Sequence, residues 1–335
     1  MIPSLDEIKA APLNGLRALS TFSGCGGSST GLRWAGFDIV AAAEFVGIAA
    51  DTYAANYPST PVLRRDLRGV SGVEWLTDLG LAPGDVDLLE GSPPCSAFSV
   101  AGRGSAKWGK VVSYSDTEQR VDDLFYVFVR LVDEIRPRAF LAENVPGLIA
   151  GKSKGQFKRI VAAFEQVGFT VRTAVLDASY LGVPQQRRRL YFVGFSDPAA
   201  AARFEFPKPE PQTTISDGLP WLRSIRTRGS TTRRSAHLRA ANTITSFPSA
   251  VGGFTFSGVD GDEKPPGWDS LPDEERGDFR RSPRLLSIPE LRRVCGFPDD
   301  YTLLGSWRQR WERLGRSVCP PVYLRMGRQI AEALR

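Results

Sequence analysis

A chain of 335 residues with 42% hydrophobic content is long enough for one large domain and a smaller one. It contains no run of eighteen apolar residues and no apolar leader in its first eleven, so a membrane span is excluded and a cytoplasmic setting is expected. The formal charge of +6, with arginine ahead of lysine in the second half, suits a polyanionic partner such as nucleic acid.

The first half alternates strands and helices. An apolar strand over 16–22 runs into Ser23-Gly24-Cys25-Gly26-Gly27, after which 28–35 can open a helix. A second strand over 37–43 closes on Glu44, and a third over 86–89 leads into Pro93-Pro94-Cys95. Residues 124–135 are amphipathic at helical spacing, and 138–141 return as a strand before Glu143-Asn144-Val145. A helix over 157–167 and strands over 170–176 and 189–195 complete the pattern. This alternation predicts an α/β fold, a mostly parallel sheet covered on both faces.

Beyond Phe195 the composition changes. Prolines 207, 209, 211 and 220 break the chain, and the stretch to Pro283 is rich in Gly, Pro, Ser, Thr and Arg. Six arginines fall between Arg223 and Arg239. Helical signals return over 288–294 and 322–334. The expected division is a catalytic and cofactor-binding domain over 1–196 completed by 305–335, an irregular unit over 197–284, and a connecting segment over 285–304.

The four cysteines, at 25, 95, 295 and 319, show no paired metal spacing, so no metal site is expected. Free thiols can serve as nucleophiles when ionised. Cys95 stands out, because a cysteine between a diproline and Ser96-Ala97-Phe98-Ser99 suits a thiolate presented on a rigid turn. Glycines after the first strand let the backbone approach a ligand closely. Glu44, twenty residues past Gly24, is placed to accept hydrogen bonds from ribose hydroxyls.

Pro93-Pro94-Cys95, followed about fifty residues later by Glu143-Asn144-Val145, and then Gln185-Gln186-Arg187-Arg188-Arg189, resemble the DNA (cytosine-5) methyltransferase family. The resemblance runs through nearly the whole chain. It implies a Rossmann-like S-adenosylmethionine-dependent domain with a smaller target-recognition domain over 197–284, acting on double-stranded DNA as a monomer, without a metal or a membrane. The catalytic set it implies is Cys95, Glu143, Arg187 and Arg189. Cys95 would add to carbon 6 of cytosine, Glu143 would serve ring nitrogen 3, and Arg189 would reach the carbonyl oxygen and orient Glu143.

The cofactor set it implies begins with Phe22, stacking near adenine, and the turn Ser23, Gly24, Cys25, Gly26 and Gly27. Glu44 would hold the ribose beside Phe45. Asp66 would take the adenine amino group, with Leu67 and Leu124 covering the base. Pro94, Arg316, Ser317 and Val318 complete the set near the methionine portion. The buried target atoms require the cytosine to be flipped out, and the polar segment 102–122 would close over it. Asn242-Thr243-Ile244-Thr245 falls where the family often has a Thr-Ile or Thr-Leu element.

One departure stands out. Where the family has Gly-Asn before Ser-Val or Ala-Val, this chain has Gly315-Arg316-Ser317-Val318. A permanent cation beside a sulfonium is unfavourable, whereas a guanidinium suits a carboxylate. Arg316 therefore admits three readings: a carboxy-S-adenosylmethionine donor giving 5-carboxymethylcytosine, a DNA phosphate contact, or a pair with an acid of the chain itself. A tRNA cytosine-5 methyltransferase and a catalytically silent DNA-binding module are the rival functions.

Overall fold

The computed structural model describes residues 2–94, 111–114, 117–120, 123–150, 154–221, 224–227, 234–235, 240, 254–255, 269 and 286–335. Cys95, most of the 102–122 segment, Asn242-Thr243-Ile244-Thr245 and most of the arginine-rich stretch lie outside these residues.

The chain opens with α1 (Leu5–Lys9), whose N-terminus is closed by a reciprocal Ser4–Glu7 capping box. There follow β1 (Arg17–Thr21), α2 (Gly27–Trp34), β2 (Asp38–Ala43), α3 (Gly47–Asn56), β3 (Val62–Leu63), α4 (Gly72–Asp78) and β4 (Leu88–Gly91). A short antiparallel pair, β5 (Val111–Tyr114) and β6 (Thr117–Arg120), precedes α5 (Leu124–Ile135). Next come β7 (Ala139–Asn144), α6 (Lys154–Gln166), β8 (Thr170–Asp177), β9 (Arg188–Phe195), α7 (Pro198–Arg203) and α8 (Ile215–Gly218). Short strands β10 (Ser224–Thr227), β11 (Arg234–Ser235) and β12 (Phe254–Thr255) form a small sheet. The chain ends in α9 (Ile288–Val294), α10 (Trp307–Arg316) and α11 (Pro320–Ala333).

Seven strands make the central sheet in the order β3-β2-β1-β4-β7-β9-β8. Every pair from β3 to β7 is parallel, and β9 runs antiparallel to both neighbours. The ten residues between β8 and β9 are too few for a parallel crossover, so the chain turns back and inserts β9 beside β7. The predicted alternation thus yields the expected mostly parallel sheet, with one reversed strand near its edge.

Side chains alternate faces along each strand, and the core divides accordingly. Ala18, Leu88, Ala139, Leu141 and Val193 point to the face covered by α2, α7 and α11, against Leu32, Ala200, Tyr323 and Ile330. Leu19, Leu89, Phe140, Ala142 and Phe192 point to the other, against Trp75, Phe128, Leu131 and Phe164 from α4, α5 and α6. A third cluster joins Leu5, Tyr53, Ile215, Leu219, Leu291, Tyr301 and Trp311, so α1, α3, α8, α9 and α10 pack together beside the first turn. Among the described residues, no helix is long and apolar enough to cross a membrane.

Candidate active site

The carboxyl ends of the parallel strands bring the Gly24 turn, the Glu44 turn and the diproline to one edge, where open α/β sheets bind ligands. After β1 the backbone bends sharply. Phe22 takes φ 51°, rare for a bulky residue, and Gly24 and Gly26 follow at φ 56° and 90°. The three glycines of the turn differ in what requires them. A Cβ on Gly24 would meet nothing within 4 Å, so open space lies there for a ligand. A Cβ on Gly26 would lie 2.6 Å from the Tyr301 hydroxyl, and one on Gly27 2.3 Å from the Val318 carbonyl oxygen. Those two glycines are needed by the protein itself, which seats its C-terminal segment on the turn.

Glu44, 8% exposed, accepts from the Gly24 amide through Oε2 and from the Val46 amide through Oε1, each at 2.7 Å. Burial pushes its carboxyl above the ordinary value, against the pull of those amides and of Arg313. A carboxylate has about four acceptor positions, so two remain for a pair of vicinal hydroxyls. The Ser23 hydroxyl turns inward to Ser20 and Ala43, and its amide also donates to the Ala43 carbonyl. The Cys25 thiol is likewise buried among Tyr53, Tyr301 and Leu314. Only the backbone of Cys25 faces the question of a ligand.

Phe22 and Val46 pack on fully buried Leu124 at the start of α5, giving an apolar wall for a planar base. Phe45, 38% exposed, stands at the rim. Asp66 caps the 3-10 turn 67–69, which contains the buried Leu67, and pairs with Arg68 at 3.0 Å. These residues offer what an adenosyl group would need: an apolar slot, an open glycine, and two acids, Glu44 and Asp66, placed apart.

The second group lies where β4, β7 and β9 meet. Register pairs Gly91 with Ala142 and Glu143 with Tyr191, so the lead-in to Cys95 and the Glu143 segment are neighbours. The Asn144 side-chain amide donates to the Pro93 carbonyl at 3.3 Å, tying the diproline to β7. Pro94 is the last described residue before Cys95. Glu143 is buried, and Arg189 Nε lies 2.7 Å from its Oε1. Burial, with Arg187 alongside, lowers the Arg189 guanidinium to about 10, which leaves it charged at neutral pH. Arg187 is 4% exposed and donates to the Gly315 carbonyl at 3.1 Å, connecting this group to the C-terminal motif.

The three described cysteines are buried and held as thiols by burial. Cys25 is pushed up to about 12, and Cys295 and Cys319 are raised as well. None of them presents a thiolate. Ser317 donates to the Leu314 carbonyl, and Val318 is buried against α2 and α11. Arg316 pairs through Nε with Glu312 Oε1 at 2.9 Å, one turn back on α10. A pair with an acid of the chain, one of its three sequence readings, is therefore present.

Sequence reasoning missed Glu90. It lies at the end of β4, 1% exposed, and accepts from the Ser20 hydroxyl at 2.7 Å. Burial, with Glu143 adding repulsion, pushes its carboxyl up to about 8 against the hydrogen bonds of Ser20, Ser28 and Tyr323. A charged residue inside the apolar run before the diproline was the available signal. Among the described residues, no group of three or more His, Cys, Asp or Glu could hold a metal ion.

The family model for C-5 cytosine-specific DNA methylase matches residues 16–332. Type II methyltransferase M1.HphI of Haemophilus parahaemolyticus is 30% identical over 341 residues, covering 95% of this chain and 86% of that protein. Type II methyltransferase M.NgoMIV of Neisseria gonorrhoeae is 29% identical, covering 95% of this chain and 98% of its own. Among solved structures, Entamoeba histolytica methyltransferase EhMeth superposes with TM-score 0.65 at 16% identity, over 96% of this chain and 99% of that one. S. pombe Dnmt2 methyltransferase gives 0.64 at 18%, with the same coverage of each. These two likenesses concern the fold.

Proposed function

The chain belongs to the C-5 cytosine-specific DNA methylase family, and we propose that it methylates carbon 5 of a cytosine turned out of double-stranded DNA. The donor is S-adenosylmethionine, held by Glu44, Asp66, the Gly24 turn and the Phe22–Leu124 wall. When bound, it supplies an electrophilic methyl group on a sulfonium sulfur, which an electron-rich carbon 5 can take.

The observation that carries this reading is the Glu143–Arg189 pair set beside the diproline that leads into Cys95. Carbon 5 of cytosine is a poor nucleophile until the ring's conjugation is broken. The Cys95 thiolate does this by bonding to carbon 6, and the displaced π electrons move toward the ring nitrogen 3 side and carbon 5. Glu143 shares a proton with nitrogen 3 and so accepts the developing charge. Arg189 fixes the Glu143 carboxyl and offers its remaining N–H groups to the cytosine oxygen. After methylation, loss of the carbon 5 proton to a base expels Cys95 and restores the ring.

Arg316 already has an acidic partner within the chain, Glu312, which it shares with Arg313, so no carboxylate on the donor is needed to account for it, and the ordinary methyl donor is favoured. The relatives' names support a type II restriction–modification setting, and we infer that the protein acts as a monomer. Nucleoside mass spectrometry on treated DNA tests the reaction, with tRNA offered in parallel. The expected product is 5-methylcytosine in DNA alone. A covalent adduct on DNA containing 5-fluorocytosine, formed by the parent and lost in Cys95→Ser, tests the nucleophile. Product in tRNA alone would establish the rival RNA function, and no product or adduct at all the silent module.

A further inference from the structure

Arg68 joins two pieces of chain that lie far apart in sequence. Its Nε and one terminal nitrogen donate to both oxygens of Asp123, at 2.9 and 2.6 Å. The other terminal nitrogen reaches Asp66 Oδ2 at 3.0 Å, while the Arg68 amide donates to Asp66 Oδ1, also at 3.0 Å. Asp66 is the acid at the base edge of the pocket, and Asp123 immediately precedes Leu124, which forms the apolar wall. One planar guanidinium therefore spans the residue proposed to read the base and the residue adjoining its hydrophobic cover.

The same seam carries a second brace that does not touch Asp66. Arg130 on α5 donates to the carbonyls of Leu67 and Val70, at 2.8 and 2.9 Å, and is held by Glu134 at 2.8 Å. Arg130 thus fastens α5 to the 67–69 turn through backbone, whereas Arg68 acts through carboxylates. The two arginines separate what is otherwise inseparable: holding the seam closed, and aiming one particular acid.

Resting on the donor assignment above, we propose that Arg68 is a positioning residue for donor specificity, aiming the Asp66 carboxylate at the 6-amino group of adenine and fixing its spacing from Leu124. An exposed Asp rotates among several rotamers, and Asp66 is one-third exposed. Two bonds to Arg68 hold it in one of them. A lysine cannot reproduce this, because its point charge reaches one carboxylate where the fork reaches two.

The test compares the binding of S-adenosylhomocysteine with that of its analogue carrying unsubstituted purine, by titration calorimetry on the full chain. The parent is expected to prefer the adenine ligand roughly 10-fold or more, the range of one charge-assisted hydrogen bond. Arg68→Met is expected to bring the two ligands within about 3-fold, with Asp123→Asn between. Arg130→Met, which loosens the seam without freeing Asp66, should weaken both ligands alike and leave their ratio near the parental one. If Arg68→Met instead keeps the parental ratio while both ligands weaken, Arg68 is a brace only and the proposal falls. A parent that binds both ligands equally overturns it too, by removing Asp66 as the reader. A parent that binds neither strikes the donor assignment itself. Melting temperatures of each variant separate these results from simple unfolding.

Discussion

Glu143 and Arg189 meet diagonally across the β7–β9 ladder, Arg189 lying two residues before the Tyr191 that Glu143 pairs with; their side chains are 2.7 Å apart, each with little access to solvent. Removing one member of a buried pair leaves the other's charge without compensation, which costs about 3 kcal/mol. Arg189→Met is therefore expected to lower stability in denaturant and to reduce kcat by about 100-fold or more, the usual loss for one preorganised donor. Glu143→Gln should preserve the fold better, because the amide oxygen still presents a negative dipole to the Arg189 guanidinium, yet lower kcat at least as far. Comparable kcat losses with unchanged stability in both variants would argue that Arg189 acts on substrate alone.

Gly24 and Gly27 make opposite predictions. Alanine at Gly24 meets no atom but must hold a left-handed φ, so it should cost about 1–2 kcal/mol and weaken donor binding, where the open space is filled. Alanine at Gly27 drives a methyl into the Val318 carbonyl, so the C-terminal segment must shift. The expected loss is about 1–3 kcal/mol or more, as for overpacking a core. Urea titrations with and without donor check both. A donor-independent loss at Gly27 beside a donor-dependent one at Gly24 is the expected pattern.

How much of this was legible follows from the kind of burial involved. Six strands of the central sheet could be read because their apolar runs are bounded by turns, whereas the two-residue β3 is too short to show one; α5 could be read because Leu124, Phe128, Leu131 and Ile135 recur at helical spacing and are all buried. Helix α3 could not, since apart from Tyr53 it buries Ala49, Ala50, Thr52 and Asn56, small or polar residues that leave little amphipathic contrast. Helix α10 hid for a stronger reason: it buries Glu312 and Arg313 beside Trp311 and Leu314, and a charge pattern normally marks a solvated face. In the site, Glu44, Glu143 and Arg189 lie at strand ends with short, fixed neighbours, and the motifs carried them. The partners of Asp66 and Arg316 depend on side-chain geometry that spacing alone does not determine.

Arg316→Asn should leave the transferred group unchanged. The side chain is bonded to Glu312, which also lies within 3.4 Å of Arg313, so the acid keeps a cation after the substitution. Stability should fall by no more than about 1 kcal/mol, as expected for a partly exposed i,i+4 pair. Nucleoside mass spectrometry with S-adenosylmethionine and its carboxy derivative in competition reads the outcome. Chiefly 5-methylcytosine from both proteins is expected. A carboxymethylated product from the parent that disappears in the variant would make Arg316 the donor selector.

Glu90 gives the fold a pH dependence of definite sign. The groups facing it are the hydroxyls of Ser20, Ser28 and Tyr323, from β1, α2 and α11, and the carboxylate of Glu143 on β7. Its carboxyl is raised from 4.5 to about 8, so the native state holds a proton that the unfolded chain has released between those values. Stability from this group is fully present below the unfolded value and is lost as pH rises through the folded one, by at most about 1.4 kcal/mol per unit. Glu90→Gln keeps a neutral group of the same shape and removes the titration. Urea unfolding at about pH 5 and pH 8 should therefore show a smaller fall in the variant than in the parent, with the variant relatively more stable at the alkaline end. The same slope in both proteins would mean that Glu90 is ionised in the native state, and that its three hydroxyl partners solvate the charge well enough to replace water.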